Sequence, residues 1–371
     1  MDAQEVDVFR VSTRGPADIS GLIALIEKGV VDPGDIVAVL GKTEGNGGVN
    51  DFTREYATTA LCAGLAPFLE LPPAAVEERI AFVMSGGTEG VLSPHLTVFT
   101  RRTVRGGADN PGEKRLSIGI AMTRDFLPEE LGRAVQVEQT AKAVLEAMDD
   151  AGISERDDVH YVQVKCPLLT AERVEAALAR GVATVTKSSY SSMAWSRGAS
   201  SLAVAAALKE IPHPVSDDAI MRDWGMYSAV ASASAGIELM RGVVIVFGNS
   251  ERARGRYVMG HAMMRDAIDL EGLMAAFASA GLMRGRDIMR DRIVSVFAKA
   301  EASPDGDVRG FRHTMLDDTD ISATRHARAA VGGLIAGLVG HGAIYVSGGA
   351  EHQGPPGGGP VAVIASIEQA R

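Results

Sequence analysis

A serine followed by a small residue, a glycine, any residue and a glutamate occurs three times in this chain. The copies are Ser85-Gly-Gly-Thr-Glu89, Ser234-Ala-Gly-Ile-Glu238 and Ser347-Gly-Gly-Ala-Glu351. Each closes a short apolar run of β character. Ahead of each stands a lysine at the end of another such run: IVAVLGK reaches Lys42, VHYVQVK reaches Lys165 and IVSVFAK reaches Lys299. Between lysine and serine lies an alanine-rich helical segment carrying an arginine: Arg54 in FTREYATTALCAG, Arg197 in WSRGASSLAVAAALKE and Arg325 in ATRHARAAVGGLIAG. Residue types recurring in one order constrain the fold more than composition does, because each recurrence has to be one supersecondary unit.

The rest of each unit also matches. VDVFRVST, RLSIGIAMT and YVMGHAMMR read as opening strands, and an amphipathic helix follows each before the lysine strand. Ile19, Leu22, Ile23 and Ile26 keep the helical i, i+3, i+4, i+7 spacing, as do Leu270, Leu273, Met274 and Phe277. Gly29, Gly152 and Gly281 are the expected helix stops. HLTVFTR, GVVIVFGNS and GPVAVIASIE read as closing strands. The expectation is an α/β protein built from a β-α-β-α-β-β unit repeated at 1–104, 112–250 and 256–371. The units would surround a pseudo-threefold axis as a central β-barrel with helices outside. The polar, glycine-bearing stretches 101–114 and 249–256 are expected to be linkers.

With 371 residues and 46% hydrophobic content the chain can bury a large core. Its 37 basic and 47 acidic residues give a net charge of −10, which argues against a nucleic-acid surface. Two cysteines, Cys62 and Cys166, make no disulfide framework, and the first residues form no apolar leader, so a cytoplasmic location is expected. The apolar stretch 331–346 is broken by glycines and too short to span a membrane; it reads as a buried helix running into a strand. LGKT at 40–43 is no phosphate-binding loop, because Ile36 stands where that loop needs glycine. His352 reads as a surface or loop histidine.

Strands that end in a polar residue and turn through glycine leave backbone N–H groups free to meet a ligand. Three such units around an axis would bring three lysines, three serines and three arginines to one pocket. These are all donors, so the ligand should be small, planar, of threefold symmetry and rich in carbonyl oxygens.

On these lysine, arginine and serine-glycine sets the chain resembles the cyanuric acid amidohydrolase and barbiturase family over essentially its whole length. The resemblance implies three units in a barrel-like fold, usually a homotetramer, hydrolysing cyclic amides of the triazine or pyrimidine type. Cyanuric acid alternates three carbonyls with three N–H groups, so its symmetry is that of the expected site. Barbituric acid is the alternative substrate, and a non-catalytic ligand-binding relative is the alternative of another class. Ser85 with Gly86, Ser347 with Gly348, Ser234 with Ala235, the arginines Arg54, Arg197 and Arg325, and the lysines Lys42 and Lys299 are the expected substrate contacts.

A neutral lysine can serve a serine as general base. Lys42 and Lys299 are each followed two residues later by a carboxylate, Glu44 and Glu301, whereas Lys165 is followed by Cys166 and Pro167. A carboxylate on the same strand face would hold the lysine's proton on, so this reading selects Lys165 with Ser234. The resemblance implies the same catalytic pair. No cofactor is expected for catalysis. The resemblance also implies a structural divalent cation, Mg²⁺ or Ca²⁺, held by Glu301 with groups of Ala350, Gln353, Gly354, Pro355 and Gly358. On composition alone that stretch is a plain glycine-proline loop.

Overall fold

A computed structural model describes residues 2–106 and 112–367. The first unit runs β1 (Ala3–Ser12), α1 (Ser20–Glu27), β2 (Ile36–Thr43), α2 (Phe52–Leu69), α3 (Pro73–Arg79), β3 (Ala81–Gly86) and β4 (His95–Val104). The second runs β5 (Arg115–Asp125), α4 (Ala134–Asp150), β6 (Val159–Pro167), α5 (Ala171–Ala179), α6 (Ser189–Ala207), β7 (Ala231–Gly236) and β8 (Arg241–Ser250). After the short β9 (Ala253–Arg254) come β10 (Tyr257–Met264), α7 (Leu270–Ser279), the hairpin β11 and β12 (Met283–Arg284, Asp287–Ile288) and β13 (Ile293–Ala300). The hairpin β14 and β15 (Asp307–Val308, Phe311–Arg312), α8 (Ala323–Val339), β16 (Tyr345–Gly348) and β17 (Gly359–Ser366) complete the third.

One strand order holds in the three main sheets: opening, closing, lysine, serine. It reads β1-β4-β2-β3, β5-β8-β6-β7 and β10-β17-β13-β16. Lysine and serine strands pair in parallel, and the register sets Lys42 opposite Ser85, Lys165 opposite Ser234 and Lys299 opposite Ser347. Each lysine strand is entered from a 3₁₀ turn and carries a bulge six residues before its lysine, at Ile36, Val159 and Ile293. Such bulges bend a strand and fix where its end points. Gly29, Gly152 and Gly281 sit just past their helices with φ of +67°, +65° and +68°, a conformation only glycine takes without strain.

The sheets do not join into the closed barrel expected from the sequence; the pairings keep them apart. The serine strands β3, β7 and β16 end their sheets, and lysine side chains reach from one sheet to the serine strand of another. The inner faces share one core: Phe99 from the first sheet, Tyr161 and Phe247 from the second, Phe297 and Tyr345 from the third, with Phe99 and Phe247 centroids 4.9 Å apart. Burying one such ring contributes about 1.5–3 kcal/mol. The outer faces are covered by α1–α3, α4 and α6, and α7–α8 respectively.

Two helices, α3 and α5, and five short strands, β9 and the hairpins β11–β12 and β14–β15, depart from the expected pattern. Pro73 starts α3 at its first position and the Thr170 hydroxyl caps α5 at Arg173 N. The stretch 249–256 is no simple linker, because Ala253–Arg254 pairs with β1 as β9. Of the stretch 101–114, residues 107–111 lie outside the described residues, and β4 continues to Val104. The apolar stretch 331–346 is, as expected, a helix end running into a strand, α8 into β16, but only one face of it is buried: Val331, Gly332, Ile335 and Val339 are, whereas Gly333, Gly337 and Gly340 are exposed. No single helix among the described residues is long and apolar enough to cross a membrane.

Candidate active site

The three lysines lie at the ends of their strands with 1–2% of their surface exposed. Lys42 Nζ donates to its own serine, Ser85 Oγ, at 3.1 Å, to the Gly86 carbonyl at 3.3 Å and to the Val346 carbonyl of the third sheet at 2.7 Å. Lys299 Nζ repeats the pattern with Ser347 Oγ at 3.2 Å, the Gly348 carbonyl at 3.1 Å and the Ala233 carbonyl of the second sheet at 3.0 Å. In each case the bridging acceptor is the residue before another unit's serine. Lys165 follows the same circuit only loosely, with Met84 O of the first sheet 3.5 Å away. The contacts run first to third, third to second and second to first, a closed ring.

Lys165 differs in its main partner. Glu238 Oε1 lies 2.7 Å from its Nζ, and that carboxylate is 28% exposed. This corrects the expectation that Lys165 is the lysine without a carboxylate: the sequence-adjacent Glu44 points to solvent, while the glutamate four residues beyond Ser234 turns back onto Lys165. Burial, and then the charge of Arg328, pulls Lys42 well below the usual lysine range. Burial, and then Arg197, brings Lys299 to about 7. Each nonetheless reaches three acceptors, as many as an ammonium can serve, and this opposes loss of the proton. Burial also lowers Lys165, with Glu238 opposing. Burial would raise Glu238, but the charge and hydrogen bond of Lys165, with Arg54, hold it at about 2.

The arginines form a second ring of contacts in the opposite sense. Arg54 of α2 reaches the second unit, donating from Nη1 to the Ala235 carbonyl at 3.1 Å and from Nη2 to the Gly48 carbonyl at 2.7 Å. Arg197 of α6 makes a bidentate pair with Glu351 of the third unit, at 2.8 and 2.6 Å. From α8, however, it is Arg328 that makes the matching pair with Glu89 of the first unit, at 2.8 and 2.6 Å. Arg328 is 3% exposed, while Arg325, the residue expected in this role, is partly exposed and touches Glu89 from outside at 3.0 Å. One helical turn separates them, and the deeper arginine enters the site. The glutamates of the repeated motif are therefore holders of cations. Glu89 and Glu351 hold arginines, Glu238 holds a lysine, and Arg54 Nε, buried without a hydrogen bond, has Asp51 Oδ2 3.9 Å away as its ionic partner.

Glycines make room for this. A side chain on Gly87 (φ +110°) or Gly349 (φ +75°) would strike the guanidinium of Arg328 or Arg197 at 2.5–2.7 Å and 2.7 Å. Gly86 must lack a side chain because the Asp51 carboxylate, which caps α2 at Thr53 N, lies 1.7 Å from where a Cβ would be. Ala235, in the same motif position, has no such neighbour forced on it.

Ser85, Ser234 and Ser347, 3–9% exposed, line one small cavity of about 30 Å³ together with Gly86, Ala235 and Gly348. Arg54, Arg197 and Arg328 also face it. Ser234 Oγ lies 3.2 Å from Ser347 Oγ. This cavity shares Gly47, Met193, Arg197, Arg328 and Gly348 with an open cleft of about 830 Å³. All the expected substrate contacts except Arg325 and the two buried lysines line the cavity itself; Lys42 and Lys299 lie behind their serines.

Beside the third serine, Gln353 N–H donates to the Ala350 carbonyl and Gly358 N–H to that of Pro355, so the loop is a pair of tight turns. The Gln353 side-chain oxygen accepts from Ala233 N at 2.8 Å, tying the loop to the second unit. Burial and the neighbouring Glu351 push Glu301 up to about 7. Among the described residues no three His, Cys, Asp or Glu side chains cluster as a metal site. His352 is buried, not at the surface: its Nε2 accepts from Met221 N at 2.8 Å, its Nδ1 meets the Met226 carbonyl at 2.6 Å, and its ring stacks on Trp224.

Comparison with known proteins gives the family and the fold. Residues 7–366 match the family described as amidohydrolase ring-opening protein. The chain belongs to that family. A cyanuric acid amidohydrolase of Bradyrhizobium diazoefficiens is 64% identical over 99% of this chain and 100% of its own length. One from Pseudomonas sp. (strain ADP) is 60% identical over 97% of this chain and 99% of its own. A solved structure of a cyanuric acid hydrolase superposes with a TM-score of 0.94 at 58% identity, covering 98% of this chain and 100% of that one. The mixed α/β fold of this ring-opening amidohydrolase is therefore that of cyanuric acid hydrolase.

Proposed function

We propose that this protein hydrolyses cyanuric acid, opening its ring with Ser234 as nucleophile and Lys165 as base. The observation that carries the reading is the convergence of three serines and three arginines, one of each from every unit, on one cavity. The relatives named for that substrate support it. The shared strand orders, bulges and registers are read as three copies, 1–104, 112–250 and 256–371, about a pseudo-threefold axis. The enclosed space suffices for about one water, so the ring occupies its junction with the cleft, serines beneath and arginines around.

The choice of Ser234 rests on Lys165 being the lysine whose proton partner is itself ionisable. Lys42 and Lys299 are spent on fixed acceptors. Ser234, Lys165 and Glu238 form the nucleophile, base and base-orienting group that hydroxyl nucleophiles need. Ser234 Oγ bonds to a ring carbonyl carbon as its proton passes to Lys165, and backbone N–H groups beside the serines hold the oxyanion, each worth about 3–4 kcal/mol of barrier. The C–N bond breaks with that proton going to the ring nitrogen. Water then hydrolyses the Ser234 ester, and the carboxybiuret product loses CO₂ to give biuret.

Parallel Ser85→Ala, Ser234→Ala and Ser347→Ala variants test the assignment on cyanuric and barbituric acids. Ser234→Ala should lose on the order of 10⁴-fold or more in kcat while still binding the ring. The other two should lose about 10–100-fold in kcat/KM, as expected for a missing donor. Equal losses at all three positions would sink the assignment, and preferred turnover of barbituric acid would make the protein a barbiturase.

A structural divalent cation fits the loop beside Ser347 in charge. Glu301 is a half-buried carboxyl that accepts from the Ala350 backbone and, among the described residues, has no ion pair of its own, beside turns rich in carbonyls. The Glu301 carboxylate with groups of Ala350, Gln353, Gly354, Pro355 and Gly358 would hold it, as hard cations prefer oxygen. Its role would be to order that loop. A chelator should lower Tm, and added Mg²⁺ or Ca²⁺ should restore it. A cytoplasmic homotetramer completes the proposal, and light scattering of the purified protein checks its size.

A further inference from the structure

A second cavity, of about 330 Å³, reaches the Lys165–Glu238 pair from a side other than the arginine-lined cleft. It lies between the first two units and is walled by Thr58 of α2, Met84 of β3, Met122 of β5 and Val243 of β8. The charged groups facing the pair there are Glu77 and Glu78 of α3, Asp125 at the end of β5 and Arg241, with Arg54 on the inner side. Met84 lines this cavity and the serine cavity alike, so it is the partition between them. Lys165 is in register with Ser234 across β6 and β7 and has its Nζ on Glu238, whose carboxylate is more than a quarter exposed.

We propose that Lys165 exchanges protons with solvent through this side cavity, by way of Glu238, while the substrate fills the cleft. The proposal rests on Lys165 being the base for Ser234. A base buried behind a bound ring has no water of its own, so a resting ammonium has to release its proton elsewhere before it can accept one from Ser234. The step moves one proton from Lys165 Nζ to Glu238 and on to water or buffer in the cavity; no bond to substrate changes. Glu238 thereby acquires a task that Glu89 and Glu351, locked onto arginines, do not have. It acts through Lys165 and is a positioning residue.

The test narrows the cavity from two different elements, with Thr58→Trp on the helix and Val243→Phe on the sheet, and neutralises the relay with Glu238→Gln. Both plugs should lower kcat by at least about tenfold with KM for cyanuric acid within about twofold of the parent. In Glu238→Gln, kcat should rise saturably with imidazole as a small proton acceptor, and adding Thr58→Trp should abolish that response. Plugs with parental kcat, plugs whose kcat loss is matched by a rise in KM, or a Glu238→Gln enzyme indifferent to imidazole would each overturn the port. Ser234→Ala is run alongside: turnover surviving there defeats the Ser234–Lys165 reading itself, whereas an inert Ser234→Ala beside silent plugs defeats the port alone.

Discussion

The second unit and its two neighbours use the same residues differently. In the first and third units the lysine hydrogen-bonds its own serine, and the motif glutamate clamps an arginine from another unit. In the second unit the glutamate leaves the arginine and takes the lysine, Arg54 falls back on backbone carbonyls, and Ser234 contacts another serine instead of its own lysine. Two saturated sets hold geometry, and one unsaturated set keeps a mobile proton. A threefold site for a threefold ligand has to break its symmetry somewhere to choose one carbonyl for attack. Here the break is a single glutamate changing partner.

The widest separation between the two kinds of unit should appear on neutralising the glutamates. Glu89→Gln and Glu351→Gln each leave a buried arginine uncompensated, at a cost of about 3–5 kcal/mol, seen as a drop of several degrees in Tm. Glu238→Gln should cost less in Tm, because the buried Lys165 can shed its proton where an arginine cannot, and should act mainly on catalysis. The carboxylate raises the Lys165 pKa, so removing it lowers that pKa, and the acid limb of the kcat/KM profile moves to lower pH. An acid limb moving upward, or a Tm loss as large as that of Glu351→Gln, would erase the distinction.

A smaller effect should separate the two arginines of α8. Arg328→Ala removes a charged donor from the cavity and should cost about 1.5–3 kcal/mol of transition-state binding, roughly 10–100-fold in kcat/KM. Arg325→Ala removes a partly exposed pair, worth about 1 kcal/mol or less. A larger loss at Arg325 would return the third binding position to the residue that sequence spacing indicated.

That pair of arginines shows what the sequence could and could not disclose. Lysine and serine positions were legible because a strand alternates simply and ends at a turn, so repeated strands align without ambiguity. A helix gives no such fixed end. Arg325 holds the third position of α8 as Arg54 does of α2, yet the phase that faces the cavity is set by how the helix packs, and that selects Arg328. The partner of Lys165 was hidden for a related reason: Glu44 and Glu301 are neighbours along the strand, while Glu238 arrives from the adjacent strand's turn. Lys165 and Ser234 still pair in the proposal, but a carboxylate in contact, and not the lack of one, now distinguishes them. The closed barrel failed because strand content does not say whether an edge is met by a strand or by a lysine. His352 lies in the loop between β16 and β17 but not at the surface: a glycine-rich context suggests exposure, whereas Trp224 and two backbone groups bury it.

A contrast seen only in the pH dependence of stability lies across the strands from the lysines. The closing strand places His95 opposite Lys42, whereas Val243 stands opposite Lys165. His95 is 1% exposed, its Nδ1 is 2.8 Å from the Ser93 carbonyl, and Lys42, Arg10 and His341 are the charged or titratable groups facing it. Burial, reinforced by those neighbours, lowers it from 6.5 to about 4. Between those values the unfolded chain binds the proton and the folded one does not, so stability is intact above the upper value and is lost as pH falls towards the lower. His95→Val copies the second unit and removes this dependence. The slope of unfolding free energy against pH between 6.5 and 4 should fall by at most about 1.4 kcal/mol per pH unit, read from denaturant titrations at several pH values. An unchanged slope would mean that His95 binds its proton as readily in the fold as in the unfolded chain, so that its burial beside Lys42 does not set this pH dependence.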